Sequence, residues 1–589
     1  MGGLRFETAG AVAGSAPDRA DIACFAGFVA RRRAPRPGPG TPYTPLPGAV
    51  RAWLREAGWL RPPGPSRPLP HTRTDEDVEA LLDLPVPIDS WDVFDRLFAW
   101  DARPYPDASR PDDGGGAPGD FTPRDRPGGT YLGAAVRSFF AQGGRRCYVI
   151  RVGDPWPFGA PRAERLAALA ALVPGLRGGF TASPGERGTW RGIAHLYGLP
   201  DVSYLSLPDL ADAAAAEPEP LRPLLAPAPP PERFRECSAD ERVRDPDVRV
   251  MPVRAPRCDE RGYARWAEVV RLVALMLRGR LREVQLVAAL PIPIDGLRVP
   301  GSGETEYLRR AVDIDRYSEM SEEAASARFL AGDALLRFLT EGGWMRGVLG
   351  DAPDSIASAF VQLVYPWIRT PGSALLPEGM EPGEGALVGM LARNALLRGS
   401  FRSAAVLDAG DVWDVFPPIA RDQLDRELRE RSGNSGPART LGQRVSLFGP
   451  TPRGIRLLSD VTTSRDEAYR PAGVNRLIAA VVRAARRLGE EVTFEASGPS
   501  AWRRVEDSLR GLLSGLLRDG ALRGESAEAA FQVRCDRSTM TQTDLDAGRM
   551  VARIVLQPAA PVEQITVVLG LDEGGAVTLL RDPEREAAA

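Results

Sequence analysis

From residue 502 to 517 the apolar positions Trp502, Val505, Leu509, Leu512, Leu513, Leu516 and Leu517 recur at helical spacing, while Arg503, Arg504, Arg510 and Arg518 fall off that stripe. The pattern predicts a helix with one buried face and one basic face. Residues 474–488 repeat it: Val474, Leu477, Ile478, Val481, Val482, Ala485 and Leu488 share a side, Arg476, Arg483, Arg486 and Arg487 lie outside it, and Gly489 is the predicted stop. A short strand is expected between the two helices. Upstream, continuous apolar runs alternate with helical patterns. IACFAGFVA (22–30), REVQLVAALPIPI (282–294) and FVQLVYPWI (360–368) predict buried strands, whereas YARWAEVVRLVALML (263–277) and GALVGMLARNALLRG (385–399) predict helices.

Two further stretches combine both patterns. PVPIDSWDVFDRLFAW (85–100) predicts a strand entering a helix capped by Asp89 or Ser90, and TYLGAAVRSFFAQGGRRCYVIRVGD (130–154) predicts a helix, a stop at Gly143 and Gly144, and a strand. The alternation defines a mixed α/β chain. Segments 48–84 and 211–233 are rich in proline or alanine and are expected to be insertions of loop or linker character.

Composition narrows the chemistry. With 589 residues, 43% hydrophobic and 26% charged, the chain is expected to hold several globular domains, and its net charge of -3 gives no general drive toward nucleic acid or acidic membranes. It contains no lysine, so all 75 basic residues are arginine, which removes Schiff-base chemistry and the phosphate-loop lysine. The imidazoles are His71 and His195, with no G-x-S-x-G or H-E-x-x-H pattern, and His195 is expected to be a packed or hydrogen-bonded structural residue. The scattered Cys24, Cys147, Cys237, Cys258 and Cys535 suggest neither a zinc site nor a disulfide framework. No catalytic residue, cofactor or metal is expected. The run CFAGFVA is followed rather than preceded by Arg31, Arg32 and Arg33, the reverse of a signal peptide, and no run reaches the roughly 18 apolar residues of a membrane span, so cytoplasmic synthesis is expected.

The C-terminal stretch, taken in order, resembles the end of a contractile phage tail sheath protein. The pieces are Asn475 and Arg476, Phe494 and Glu495, Trp502, Cys535 to Arg537, and Asp546 to Arg549, followed by a closing strand. A second series resembles the same family: Tyr131, Leu132, Val136, Arg137, Phe139, Phe140, Gly143, Gly144, Cys147, Tyr148, Val149, Arg151 and Val152. Phe25 to Gly27, the string WRGIAHLYGLPDVSYLSLPDL (190–210), and Tyr365, Pro366, Gly389, Ala392, Arg393, Arg398 and Gly399 extend the likeness, which is closest to sheath subunits of extracellular contractile injection systems. Phe401 to Ala405 and LLSDVTTSRDEAYRPAGVNRL depart from the family strings, so contacts made by those loops do not carry over.

The resemblance implies an N-terminal arm and entry strand (1–35), a central α/β region of subtilisin-like fold (36–465), and an α+β C-terminal domain (466–589) ending in a β-arm (559–589). It implies a homo-oligomer of hexameric rings stacked around an inner tube protein, with baseplate and cap proteins as further partners, no nucleic acid and no membrane insertion. Such a sheath is assembled into a phage tail-like particle and contracts to drive the tube through a target envelope. Within it, a terminal strand containing Val562, Ile565, Val567 and Leu569 is expected to pair between subunits; pairing of this run within its own subunit is the alternative. The basic faces carrying Arg483, Arg486, Arg487, Arg503 and Arg504 are expected to meet the tube, against the plainer reading that they are solvated surface. Two other functional readings remain at this level, a degenerate α/β hydrolase-like enzyme and a non-contractile paralogue that caps the sheath.

Overall fold

The continuous apolar runs become inner strands of one sheet because helices cover both of its faces. The computed structural model describes residues 20–34, 43–60, 75–104, 128–218 except 177 and 179–181, 254–293, 356–417 except 406, 441–492, 498–543, 550–559, 568–571 and 577–580. Strands β1 (Ala23–Phe28), β2 (Pro85–Ile88), β3 (Cys147–Gly153), β4 (Tyr204–Ser206), β5 (Gln285–Ala289), β6 (Val361–Tyr365), β7 (Ser446–Thr451) and β8 (Gly454–Leu457) form an eight-stranded sheet in the order β8-β7-β6-β5-β4-β1-β3-β2. The strands from β7 to β3 in that order are parallel; β8 and β2 close the edges antiparallel.

Side chains of β1 show how the faces divide. Cys24, Ala26 and Phe28 enter a core with Leu169 of α4 (Arg162–Leu172) and Trp266, Val270 and Leu277 of α6 (Glu260–Arg280). Ala23 and Phe25 enter the opposite core, with α1 (Gly48–Glu56), α2 (Trp91–Leu97), α3 (Tyr131–Ala141) and α7 (Glu384–Arg398). Helix α3 begins at the Thr130 cap, whose hydroxyl accepts from Gly133 N at 3.1 Å, and Gly143 just past its end has φ of +99°, a conformation that favours glycine. Ser90, not Asp89, caps α2. Between α4 and α6 in sequence lies α5 (Leu210–Ala214), which follows β4 directly. Helices α3 and α7 touch backbone to backbone: a Cβ on Gly389 would lie 2.5 Å from Phe139 O, and one on Gly385 would strike Ala135. Those two glycines set how closely the helices approach.

A second unit follows the sheet. Helices α8 (Ala472–Val492) and α9 (Pro499–Arg518) and the antiparallel pair β9 (Phe531–Arg534) and β10 (Arg553–Leu556) share a core that includes Leu477, Val481, Val505, Leu509, Leu513 and Phe531. Strands β11 (Val568–Leu571) and β12 (Val577–Leu580) form a separate two-stranded hairpin with Leu569 opposite Leu579.

Several expectations change. Gly489 does not stop α8, which continues to Val492 and takes the first residues of the expected short strand; Phe494 and Glu495 lie outside the described residues. The segment 48–84 carries α1, with Val50 and Leu54 buried and Trp59 packed beyond it, rather than loop alone. Segment 211–233 begins as the buried end of α5, and its part beyond 218 lies outside the described residues. So do His71, Cys237, Asp546 to Arg549, Val562, Ile565 and Val567.

Candidate functional site: the switch-point crevice and the C-terminal edge

An open parallel sheet binds ligands where its strand order reverses, at the carboxyl ends of the strands. Here the order reverses at β1, with β3 on one side and β4 through β7 on the other, so the crevice lies between the ends of β1 and β4. The chain fills that place itself. Asp209, three residues past β4, accepts from Phe28 N at 2.7 Å, and a Cβ on Gly27 would collide with its carboxylate. One strand away, Glu384 in the first turn of α7 accepts from Ala289 N at 2.6 Å. Both carboxyls are buried. Loss of water raises Asp209 to about 7 against the opposing Phe28 amide and Arg103, and raises Glu384 to about 8 against the Ala289 amide and Ser206 hydroxyl. The remaining gap beside Glu384, lined by Leu207, Trp266 and Ala289, leaves no room even for a water-sized sphere, so it is no small-molecule pocket.

His195 lies elsewhere. It is buried with Nε2 3.1 Å from Asp83 Oδ1 and its ring edge-on to Trp59 at 5.0 Å, in keeping with a structural residue. Cys24, Cys147, Cys258 and Cys535 are free and buried, and burial raises the thiol pKa of each. Among the described residues no group of three His, Cys, Asp or Glu side chains is placed to hold a metal ion, and no helix is long and apolar enough to cross a membrane.

A groove also lies in the C-terminal unit. It has a volume of about 700 Å³ and runs between Val474, Ile478, Val481, Val482 and Ala485 of α8 and Ile554, Val555 and Leu556 of β10, with Tyr469 and Pro558 at its margins. Side chains alternate along a strand, so three consecutive residues cannot all line a groove lying on one face. The groove therefore follows the edge of β10 that faces away from β9. Among the described residues β9 and β10 form a two-stranded sheet, which leaves that edge without a strand partner. Val555, 49% exposed, and Tyr469, 40% exposed, both line this groove.

The predicted basic face divides. Arg483 is buried and donates to Glu283 O at 3.2 Å and Val202 O at 3.4 Å, backbone groups just before β5 and β4. Burial lowers its pKa, and the Glu283 carboxylate works against that shift. Arg486 forms a two-point pair with the buried Glu283 carboxylate, one contact at 3.2 Å. Both arginines thus hold α8 against the amino-terminal edge of the sheet. Arg487, Arg503 and Arg504 are exposed. Leu569 sits in β11 and is paired by register within its own hairpin.

Sequence reasoning missed Asp209, Glu384 and the buried Asp460. Each is an acid inside an otherwise apolar or small-residue string, as in LSLPDLA and LLSDVTT, and that isolation is the available signal.

No protein-family model matches the sequence, and no curated protein matches it. Among solved structures, the chain is similar to one in the anti-feeding prophage (AFP) baseplate, with a TM-score of 0.48, 17% identity and coverage of 94% of each chain. It is also similar to the AFP helical sheath in its contracted state, with a TM-score of 0.46, 16% identity and coverage of 97% of this chain and 99% of that one. For the contracted PVC sheath complex of an extracellular contractile injection system the TM-score is 0.40 at 17% identity, covering 76% and 81%.

Proposed function

We propose that this chain is a structural subunit of the contractile sheath of a phage tail-like injection machine, polymerising around an inner tube and contracting to drive it through a target envelope. The observation that carries this reading is the edge of β10 that has no strand partner among the described residues, beside an apolar groove of about 700 Å³. An edge of this kind accepts a strand from another chain, whose backbone completes the hydrogen bonding while alternate side chains fill the groove. The terminal segment suits the slot: Ile565, Val567 and Leu569 are spaced two apart, as apolar residues on one face of a strand must be. A strand given from one subunit to the next makes a heterologous contact, which builds a helical tube rather than a closed dimer.

The ordered motif series at 131–152 and 475–549 supports the same reading. So does the filled switch-point crevice, which argues against an enzyme at the place where this sheet type binds ligands. Hexameric rings, an inner tube, baseplate and cap proteins are the partners of the proposed particle, and free energy stored in a metastable packing drives contraction without nucleotide. Tube contact is assigned to the basic surface, chiefly Arg487, Arg503 and Arg504, which are exposed; Arg483 and Arg486 join it only where the tube reaches the rim of their Glu283 contact. Deleting the chain from residue 559 onward tests the reading. The truncated subunit is expected to fold and to lose polymerisation, and normal tubes formed by it would refute strand donation.

A further inference from the structure

Asp209 and Glu384 bracket the carboxyl ends of three adjacent strands. Asp209 takes the last amide of β1 and Glu384 the last amide of β5, with Ser206 of β4 between them. The Ser206 side chain lies close enough to Glu384 to favour its ionised form, while Asp209 opposes it by like charge. Asp209 faces the Leu132 amide at the start of α3, Asp212 of α5 and the Arg103 guanidinium. That guanidinium is already committed, 2.5 Å from Asp212 Oδ2 and stacked 3.9 Å over Phe158. Among the described residues neither carboxyl forms an ion pair, and both are buried.

We propose that Asp209 and Glu384 form a proton-dependent lock on this edge of the sheet, closed while the two carboxyls keep their protons and loosening the crevice, with the helices that start from it, as they are lost. Ionisation releases each carboxyl proton to bulk water and leaves two like charges in one dry crevice, which β1, β5 and the first turn of α7 relieve only by moving apart.

The pH window follows from the direction of the shifts. Both carboxyls titrate higher in the folded chain than in the unfolded one, so the folded state binds more protons between about pH 4 and about pH 8. Their stabilisation is complete below that window, falls as pH rises through it, and is flat above it. Glu381 is also raised, to about 7, but it is held separately by the Ser138 and Thr370 hydroxyls with Arg137 near, and it supplies a smaller parallel slope.

The experiment compares the full chain with its Asp209→Asn/Glu384→Gln variant in urea unfolding from about pH 5 to about pH 8.5. The wild-type midpoint is expected to drop across that range, and the variant to lose more than half of the drop; equal drops in both proteins would overturn the lock. Infrared spectroscopy of the wild type gives a second reading that needs no variant. A protonated-carboxyl band that persists at about pH 6.5 and vanishes by about pH 9 is expected, and its absence at the lower pH would overturn the proposal even if the double variant does not fold.

Discussion

Arg476 of α8 and Asp460 form a fully buried ion pair, with Nη2 2.5 Å from Oδ2 and Nη1 3.0 Å from Oδ1, and it ties the C-terminal unit to the end of the sheet. Asp460 also accepts from Gln362 of β6 and from the Ala404 amide, so one carboxylate joins a strand, a loop and a helix. Burial alone would raise the Asp460 carboxyl, and Arg476 beside it overrides that and holds it below its usual range. Arg476→Met leaves the carboxylate buried and unpaired and is expected to cost about 3–5 kcal/mol in urea unfolding, while Arg476→Met with Asp460→Leu recovers part of the loss. The depressed carboxyl also fixes a sign: its stabilisation is full above about pH 4 and is lost as pH falls through the folded pKa.

Gly389 is expected to tolerate no side chain. Its missing Cβ is the space occupied by Phe139 O and Gln142 Cβ, at 2.5 and 2.7 Å, so Gly389→Ala must push α3 and α7 apart. A loss of about 1–3 kcal/mol, read as a lower melting temperature of the whole chain, is the predicted outcome.

The arginines of the predicted basic face should separate by position. Arg483→Glu places a carboxylate among the Glu283 and Val202 carbonyls and next to the Glu283 side chain, and is expected to destabilise the subunit by at least about 3 kcal/mol. Arg503→Glu with Arg487→Glu changes exposed positions and is expected to leave the urea midpoint within about 0.5 kcal/mol of wild type. In co-sedimentation with the tube protein at low salt, that double variant is expected to bind less than wild type.

Val555→Asp tests the groove from the side of the acceptor. The residue is half exposed on β10, whose outer edge has no strand partner among the described residues, so the subunit should keep its stability and lose assembly, measured by sedimentation. Unchanged assembly would remove this edge from the interface.

Much of this organisation is legible in the sequence. The run from Tyr131 to Gly153 reads correctly as helix, glycine stop and strand, because these features are set by local chemistry: an apolar helical run, a positive φ at Gly143 and a continuous apolar strand. Arg483 shows what periodicity cannot report. It lies off the apolar stripe of α8 and reads as solvent-facing, yet it is buried, because the helix has a second, polar contact with the carbonyls at the amino-terminal edge of the sheet. An amphipathic pattern records the apolar face alone. The path of α8 past Gly489 has a similar cause: a glycine inside a helix costs only about 1 kcal/mol, and the packing of Val474 through Leu488 outweighs it. Asp209 and Glu384 were hidden for another reason, since their role depends on strands that are distant in sequence and adjacent only after the sheet forms.

Cryo-electron microscopy of the purified full-length chain, polymerised alone or on tube protein, decides whether the edge of β10 is shared between subunits. A helical tube in which a third strand from a neighbouring subunit lies along Arg553–Leu556, with its apolar residues against Val474, Ile478 and Val481, is the expected result. Discrete monomers under all conditions, or an assembled tube in which that edge is bare or covered by the subunit's own residues 559–567, would contradict it.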